Sequence, residues 1–323
     1  MLLSLPISPN DAGQRADRYL RRRLPQLGMS RLQALFRRKE IKVAKKAIDA
    51  ARILQEGEVL QVFGLRPEET AAPAKAREAV PAARPVKAYP PPPVLHQDAE
   101  LVVVDKPAGM AVHPGTGVPE GASVIERVQA LLRGQGDTWS GEVFSPALVH
   151  RLDKETSGVL LIARTGPALR ALTETLRAGR MRKRYLALVG GHPHPATGVI
   201  DAPLERTDSA AGAKSRIAED GDGDAKRAVT RYRTIRAVGA YALLEVIIET
   251  GRMHQIRAHL AHIGHPIVGD TRYDKPAEAR RKAREHGLDR LFLHAAELSW
   301  REGDRKRSFL APLPPDLERA CGG

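Results

Sequence analysis

Cysteine is almost absent from this 323-residue sequence, Cys321 being the sole one. One thiol makes neither an internal disulfide nor a Cys-rich zinc site, and a reducing compartment fits that usage. Aromatic residues are also scarce, at 4% (two Trp, six Tyr, five Phe). That leaves little for a base-stacking platform of the RRM kind. Long apolar runs are missing. Stretches such as 241–244 and 246–248 fall far short of the ~20 residues a membrane helix needs. The opening segment MLLSLPISPN lacks the basic flank and the apolar length of a signal peptide. The expectation is a soluble, cytoplasmic chain with no membrane partner. Nucleotide and metal signatures are lacking too: there is no Gly-rich P-loop, no GxGxxG after a strand and no HExxH. His259 and His262 share a helical face with His265 just beyond, but no carboxylate or thiol completes a site. No metal is expected, and no internal repeat is visible.

What is abundant is positive charge. Lys and Arg total 52 against 38 Asp and Glu, a net charge of +14, and the pI is about 10.1. Such a balance is a common electrostatic footprint of a nucleic-acid binder, and also of a basic proteome. The charge is uneven. Residues 15–46 hold twelve basic side chains and two acids, Asp17 and Glu40, so ten of the fourteen net charges sit in 32 residues. Ala16, Tyr19, Leu20 and Leu24 fall at helical spacing, and Pro25 and Gly28 end that helix. Ser30 is the expected N-cap of a second helix running to Arg38. Residues 40–43 and 59–63 alternate like strands. The unit reads as two short helices and a few strands with arginines outside. Arg15, Arg18, Arg31, Arg37, Arg38 and Lys42 are the expected phosphate contacts, the alternative being a solvated face.

Residues 66–93 are rich in Pro, Ala and charge and read as an extended, semi-rigid linker. The expected organisation is therefore a small module over 1–65, the linker over 66–93 and a large domain over 94–323. In the large domain, 101–104, 159–163 and 185–189 read as strands, and 124–133 as a helix. Another helix has Pro167 in its first turn and ends near Ala178, with Gly179 as its cap. Segments 231–238 and 241–249 flank Gly239-Ala240 as a tight hairpin. A helix over 254–263 stops at Gly264. Residues 206–228, including the acidic tract 219–224, read as a mobile surface loop. Strands outnumber helices and do not alternate with them strictly. That predicts an α+β fold with a mixed, mainly antiparallel sheet.

Two segments concentrate polar chemistry. His150-Arg151-Leu152-Asp153-Lys154-Glu155-Thr156-Ser157-Gly158 leads into the apolar strand VLLIA. An aspartate flanked by Arg151 and Lys154 stays ionised, and an ionised, poorly hydrated carboxylate is a nucleophile. A structural salt bridge or a turn cap also suits Asp153. The second segment, Gly251-Arg252-Met253-His254-Gln255-Ile256-Arg257-Ala258-His259, follows a strand and opens a helix. His254 and Arg257 share a face there, and a donor-rich helix start suits anionic groups. Solvated arginines on a first helical turn are the plainer reading.

Taken together, HRLDKETSGVLLIA, RKRYLALV and ETGRMHQIRAHLAHIGHPIVGD resemble the RluA family of pseudouridine synthases. LVVVDKPAGMAVHPG and RLFLHAAELSW extend the likeness over nearly all of 94–316. The N-terminal module resembles the S4 RNA-binding domain, and the combination is most similar to the RluC type, which acts on large-subunit ribosomal RNA. Met253 stands where Thr is usual. In the S4-like module Lys39-Glu40 stands where a glycine often precedes the strand, and Ala44 where Asn-Gly is common. The resemblance implies a pseudouridine synthase fold with a small α/β S4-like domain, and an isomerase that works without cofactor, as a monomer, on large-subunit rRNA. It implies that Asp153 is the catalytic nucleophile, attacking either uracil C6 or ribose C1′. Tyr185 is a catalytic residue that lies against the flipped base and assists proton transfer, Arg257 pairs with the catalytic carboxylate and Arg151 helps open the RNA. Arg252 and His254 make RNA or structural contacts. A base glycosylase and a non-enzymatic RNA-binding protein are the competing classes.

Overall fold

A computed structural model describes residues 1–70, 89–137, 144–208, 213–218 and 225–322. Most of the expected linker, 71–88, and the acidic tract 219–224 lie outside the described residues.

The N-terminal unit comprises β1 (Leu3–Pro6), α1 (Ala16–Arg23), α2 (Met29–Arg37), β2 (Ile41–Val43), β3 (Lys46–Ala47), β4 (Val59–Val62) and a short α3 (Pro67–Thr70). Its strands form one antiparallel sheet in the order β1-β4-β2-β3. The helical spacing of apolar residues is used as the periodicity predicts. Tyr19 and Leu20 of α1 and Leu32 and Leu35 of α2 are buried against Ile41, Leu60 and Val62. Each such side chain contributes about 1.5–3 kcal/mol by leaving water. Ser30 is not the N-cap of α2. Gly28, extended at φ −60° and ψ 152°, holds that position, and its carbonyl accepts the first helical bond from Leu32 N–H. Starting at Met29, two residues earlier than a Ser30 cap allows, the helix keeps Leu32 and Leu35 inward and leaves Ser30 exposed.

The remainder comprises β5 (Val94–Gln97), β6 (Leu101–Lys106), α4 (Val124–Gly134), β7 (Ala147–Leu148), β8 (Ser157–Ala163), α5 (Gly166–Arg177), β9 (Arg182–Gly190), β10 (Thr197–Asp201), β11 (Leu204–Thr207), β12 (Lys214–Ile217), β13 (Val229–Val238), β14 (Tyr241–Ile248), α6 (Gln255–His262), α7 (Pro276–Glu285), β15 (Leu293–Glu302), β16 (Arg305–Leu310) and α8 (Pro315–Ala320). Ten strands join one mixed sheet with the central path β10-β13-β14-β9-β15-β8-β6-β5. Every described pairing in it is antiparallel except β15 with β8. Strand alternation divides the core between the two faces. Val102, Val104, Leu160 and Ile162 pack with Val128 and Leu132 of α4. Leu101, Val103, Val159 and Leu161 pack with Ala168 and Leu172 of α5 on the other side. All seven residues of β8 are buried, as expected of a central strand covered on both faces.

The polar loop 150–156 enters the sheet at the parallel pairing, so the close approach of β8 to β15 sets where that loop sits. Gly158 has φ +114°, and a Cβ on it would lie 2.2 Å from Ala295 O. Only glycine lets β8 come this close to β15.

The two units touch. Asn10 Oδ1 accepts Gly166 N–H at 3.0 Å, Asp11 Oδ1 accepts Phe144 N–H at 3.1 Å, and Arg170 donates to the carbonyls of Pro9 and Ala12. A Cβ on Gly166 would lie 2.2 Å from Asn10 O, so the first turn of α5 seats directly on the N-terminal backbone.

One expectation is corrected. Residues 206–228 are not simply a loop. β11 and β12 pair in register from Leu204↔Ile217 to Thr207↔Lys214. Buried Leu204 packs with Ala228 and with Ala258 of α6. The small apolar anchor was masked by the charged residues around it.

Candidate active site

A cleft of about 1210 Å³ opens where β8, β9 and α6 converge, and both polar segments singled out in the sequence line it. The loop before β8 is fixed from below. Leu152 is buried in the core, and its neighbours Arg151 and Asp153 project into the cleft. Lys106, at 0% exposure, donates to the carbonyls of Pro107, Met110 and Lys154 at 2.9, 2.9 and 2.8 Å. Three acceptors match the three N–H bonds of one ammonium, so Lys106 pins the residue following Asp153. Burial pushes Lys106 down to about 7, against the pull of Glu155 and Asp153. His150 Nε2 accepts Leu161 N–H at 3.2 Å, and burial with the nearby Lys183 charge pushes its pKa down to about 4.

The Asp153 carboxylate remains 26% exposed, facing the cleft, with Arg257 Nη1 3.4 Å from its Oδ2. Arg257 is nearly buried, and its closer partner is Asp270: Nε to Oδ2 at 2.8 Å and Nη2 to Oδ1 at 2.7 Å. Asp270 is 0% exposed. Burial alone would lower Arg257, but the Asp270 hydrogen bond and charge raise it above its ordinary value. The guanidinium therefore reaches Asp153 as a cation already oriented by a second carboxylate. The sequence reading assigned Arg257 a single acidic partner. Asp270 was not singled out, although it closes the quoted run GHPIVGD.

Tyr185 lies on β9 opposite Val246 of β14 and Ala295 of β15. Its ring is buried, and burial with the Asp153 charge holds the phenol well above the usual tyrosine range. Two residues earlier on the same face, Lys183 is also buried. Its Nζ is 3.3 Å from Thr250 O, and burial beside Arg252 pushes it down to about 8. Lys183, like Lys106, was missed: each reads as one more strand-edge charge until the fold buries it. Arg252 is exposed on the cleft wall and donates to Arg227 O at 3.0 Å. His254 sits at the N-terminus of α6 in the left-handed region, φ 51° and ψ 22°. Its Nε2 is 3.8 Å from Asp153 Oδ2 and its Nδ1 is 3.2 Å from Tyr273 Oη.

The N-terminal basic residues are not equivalent. Arg18, Arg37 and Arg38 are exposed. Lys42 lies over the Phe63 ring at 5.0 Å. Arg15 pairs with Asp17 at 2.7 Å. Arg31 donates to both oxygens of Glu69 and to Gly64 O. Of the expected phosphate contacts, Arg15 and Arg31 are already engaged by carboxylates. Among the described residues no group of three or more His, Cys, Asp or Glu could hold a metal ion, and no helix is long and apolar enough to cross a membrane.

Comparison with known proteins bears on this arrangement. The profile of a family described as RNA pseudouridylate synthase matches residues 100–262. A Chloroflexus aurantiacus protein named as an uncharacterized RNA pseudouridine synthase is 40% identical over 97% of this chain and 90% of its own length. Ribosomal large subunit pseudouridine synthase C of Escherichia coli K12 is 36% identical over 97% of this chain and 93% of its own. Among solved structures, human RNA pseudouridylate synthase domain containing 4 superposes with a TM-score of 0.56 at 26% identity, covering 70% of this chain and 90% of that one.

Proposed function

The chain belongs to the RNA pseudouridylate synthase family, and from that premise we propose that it isomerises specific uridines of large-subunit ribosomal RNA to pseudouridine, with Asp153 as nucleophile. The substrate class follows the named relatives, ribosomal large subunit pseudouridine synthases C. The observation that carries the mechanism is the contact of Asp153 with Arg257 at 3.4 Å on the floor of the cleft.

In this isomerisation the N1–C1′ bond breaks, the uracil turns, and C5 bonds to C1′. No electrons or groups leave the nucleoside. A carboxylate that attacks C6 or C1′ must be anionic yet poorly hydrated. A guanidinium held by Asp270 supports the anion without supplying water. The uridine must leave its stack, at a cost of a few kcal/mol. Arg151, exposed at the cleft mouth, offsets part of that cost by stacking its planar guanidinium in the vacated space. Tyr185 forms a buried wall for the flipped base.

In this reading residues 1–65 are an S4-like RNA-binding domain, 66–93 a linker and 94–323 the catalytic domain, acting as a cytoplasmic monomer. The exposed Arg18, Arg37 and Arg38, with Arg21, Arg22 and Arg23 at the end of α1, supply phosphate contacts, and Arg252 lines the path into the cleft. Phosphate contacts add affinity, and the shape of the RNA decides which base enters.

The test is pseudouridine mapping of ribosomal RNA from cells lacking the gene, with the gene restored as control. Loss of defined large-subunit sites that return on restoration supports the proposal. An unchanged map overturns it, and release of free uracil by the purified protein would make it a glycosylase.

A further inference from the structure

After C5 has bonded to C1′, C5 still carries its hydrogen, and a base must remove it. We propose that His254 is that base, acting through Nε2. The proposal rests on the isomerase reading above.

The hydrogen bonds around Tyr273 fix which nitrogen of His254 is open. Tyr273 Oη donates its one proton to Ser215 O at 2.9 Å and accepts Ser215 N–H at 2.8 Å. With its proton spent, Tyr273 oxygen can only accept from His254, so Nδ1 carries the hydrogen across the 3.2 Å contact. Neutral His254 therefore has its lone pair on Nε2. That atom lies 3.8 Å from Asp153 Oδ2, beyond hydrogen-bonding distance, and makes no hydrogen bond among the described residues. It is a basic nitrogen within one atom's reach of the nucleophile, in the cleft where the uracil ring turns.

The surroundings keep it unprotonated. Burial, Arg257 and Arg272 disfavour the imidazolium, whereas Asp153 and Asp270 favour it, and the balance lowers the pKa below the ordinary histidine value. Two other groups lining the cleft suit the step less. Tyr185 holds its proton too tightly, as burial raises its pKa. His150 Nε2 is spent on Leu161 N–H. His254 occupies a left-handed conformation at φ 51°, a region in which Asn, Asp and His are the enriched non-glycine residues. The tyrosine that holds it is itself wired to β12, and Ser215 Oγ donates to Met253 O at 2.5 Å.

In the proposed step Nε2 takes the C5 proton, and the C–H electron pair re-forms the C5=C6 double bond. If Asp153 attacked C6, its C6–O bond breaks and the carboxylate is regenerated. If it attacked C1′, the N1=C6 π pair moves to N1, which takes a proton from water. The imidazolium then loses its proton to solvent.

The test uses the full-length chain and an RNA substrate carrying either 5-protio- or 5-deuterio-uridine, with single-turnover pseudouridine formation as readout. His254→Asn keeps a residue that tolerates the left-handed backbone, and His254→Gln keeps length; neither accepts the proton. Both variants should be slower by about 10²–10⁴-fold and should show a larger deuterium effect than wild type, because C–H cleavage has become limiting. An unchanged rate, or a slower rate with the wild-type isotope effect, overturns the proposal and leaves the isomerase reading standing. A wild type that makes no pseudouridine overturns the isomerase reading itself.

Discussion

Asp270 grips Arg257 with two hydrogen bonds of 2.7 and 2.8 Å, shorter than the 3.4 Å at which Arg257 meets Asp153. The cation is thus positioned by an acid that never faces the cleft, and what remains of its fork is presented to an acid that does. A fully buried carboxylate without its arginine, or the reverse, is costly. Asp270→Ala should lower stability by about 3–5 kcal/mol and reduce turnover as well. Asp270→Asn, which keeps the shape, should lose less stability and still lose rate. Denaturant unfolding and single-turnover assays on both variants check this. Unchanged stability in Asp270→Ala would contradict the pairing.

Lys106 gives a pH signature. Its folded pKa is pushed down to about 7, below the ordinary lysine value. The unfolded chain therefore binds more protons between these limits, and stability rises with pH across that window. The contribution of one such group is a slope of about 1.4 kcal/mol per pH unit. Lys106→Met should flatten the curve between about pH 7 and pH 10 by that amount relative to wild type. Parallel curves for the two proteins would show that the ammonium is not perturbed.

The loop joining β2 to β3 holds two residues, Ala44 and Lys45, at φ 47° and 67°, with Val43 paired to Lys46 across it. Two left-handed residues in a two-residue hairpin make a turn that favours Asn-Gly. Replacing Ala44-Lys45 by Asn-Gly should raise stability by about 0.5–1 kcal/mol, read as an increase in Tm. A decrease would contradict the turn assignment.

Arg31 and the pair Arg37 and Arg38 should behave differently. Arg37→Ala and Arg38→Ala should each reduce the salt dependence of RNA binding by about one unit of slope with little change in Tm. Arg31→Ala should leave the slope nearly unchanged and lower Tm, because Glu69 and the Gly64 carbonyl lose their partner. Equal slopes for all three variants would contradict the division.

Much of this site was legible because its residues are local in sequence. The segments 150–158 and 251–259 each place several polar side chains beside an apolar strand or helix, and such clustering survives without coordinates. The mixed, mainly antiparallel sheet followed from strands that outnumber helices. What escaped were partnerships made at long range. Glu69 holds Arg31 from 38 residues away, inside a stretch that composition marks as linker. Lys106 acquires its meaning only when the carbonyl of Lys154, 48 residues on, folds over it. The hairpin of β11 and β12 was hidden because its strands are short and largely polar, so periodicity gave no signal. Ser30 lost the cap to Gly28 because the packing of Leu32 and Leu35, rather than the capping side chain, sets where α2 begins.

The most direct measurement is pseudouridine formation by Asp153→Asn, assayed by nucleoside analysis of RNA treated with the purified protein. The substitution removes the charge and keeps the shape, and Asp153 is not a core residue. RNA binding should stay within about threefold of wild type, a change of less than ~1 kcal/mol, while pseudouridine falls below detection. Pseudouridine formation at or near the wild-type rate would contradict the assignment of Asp153 as nucleophile.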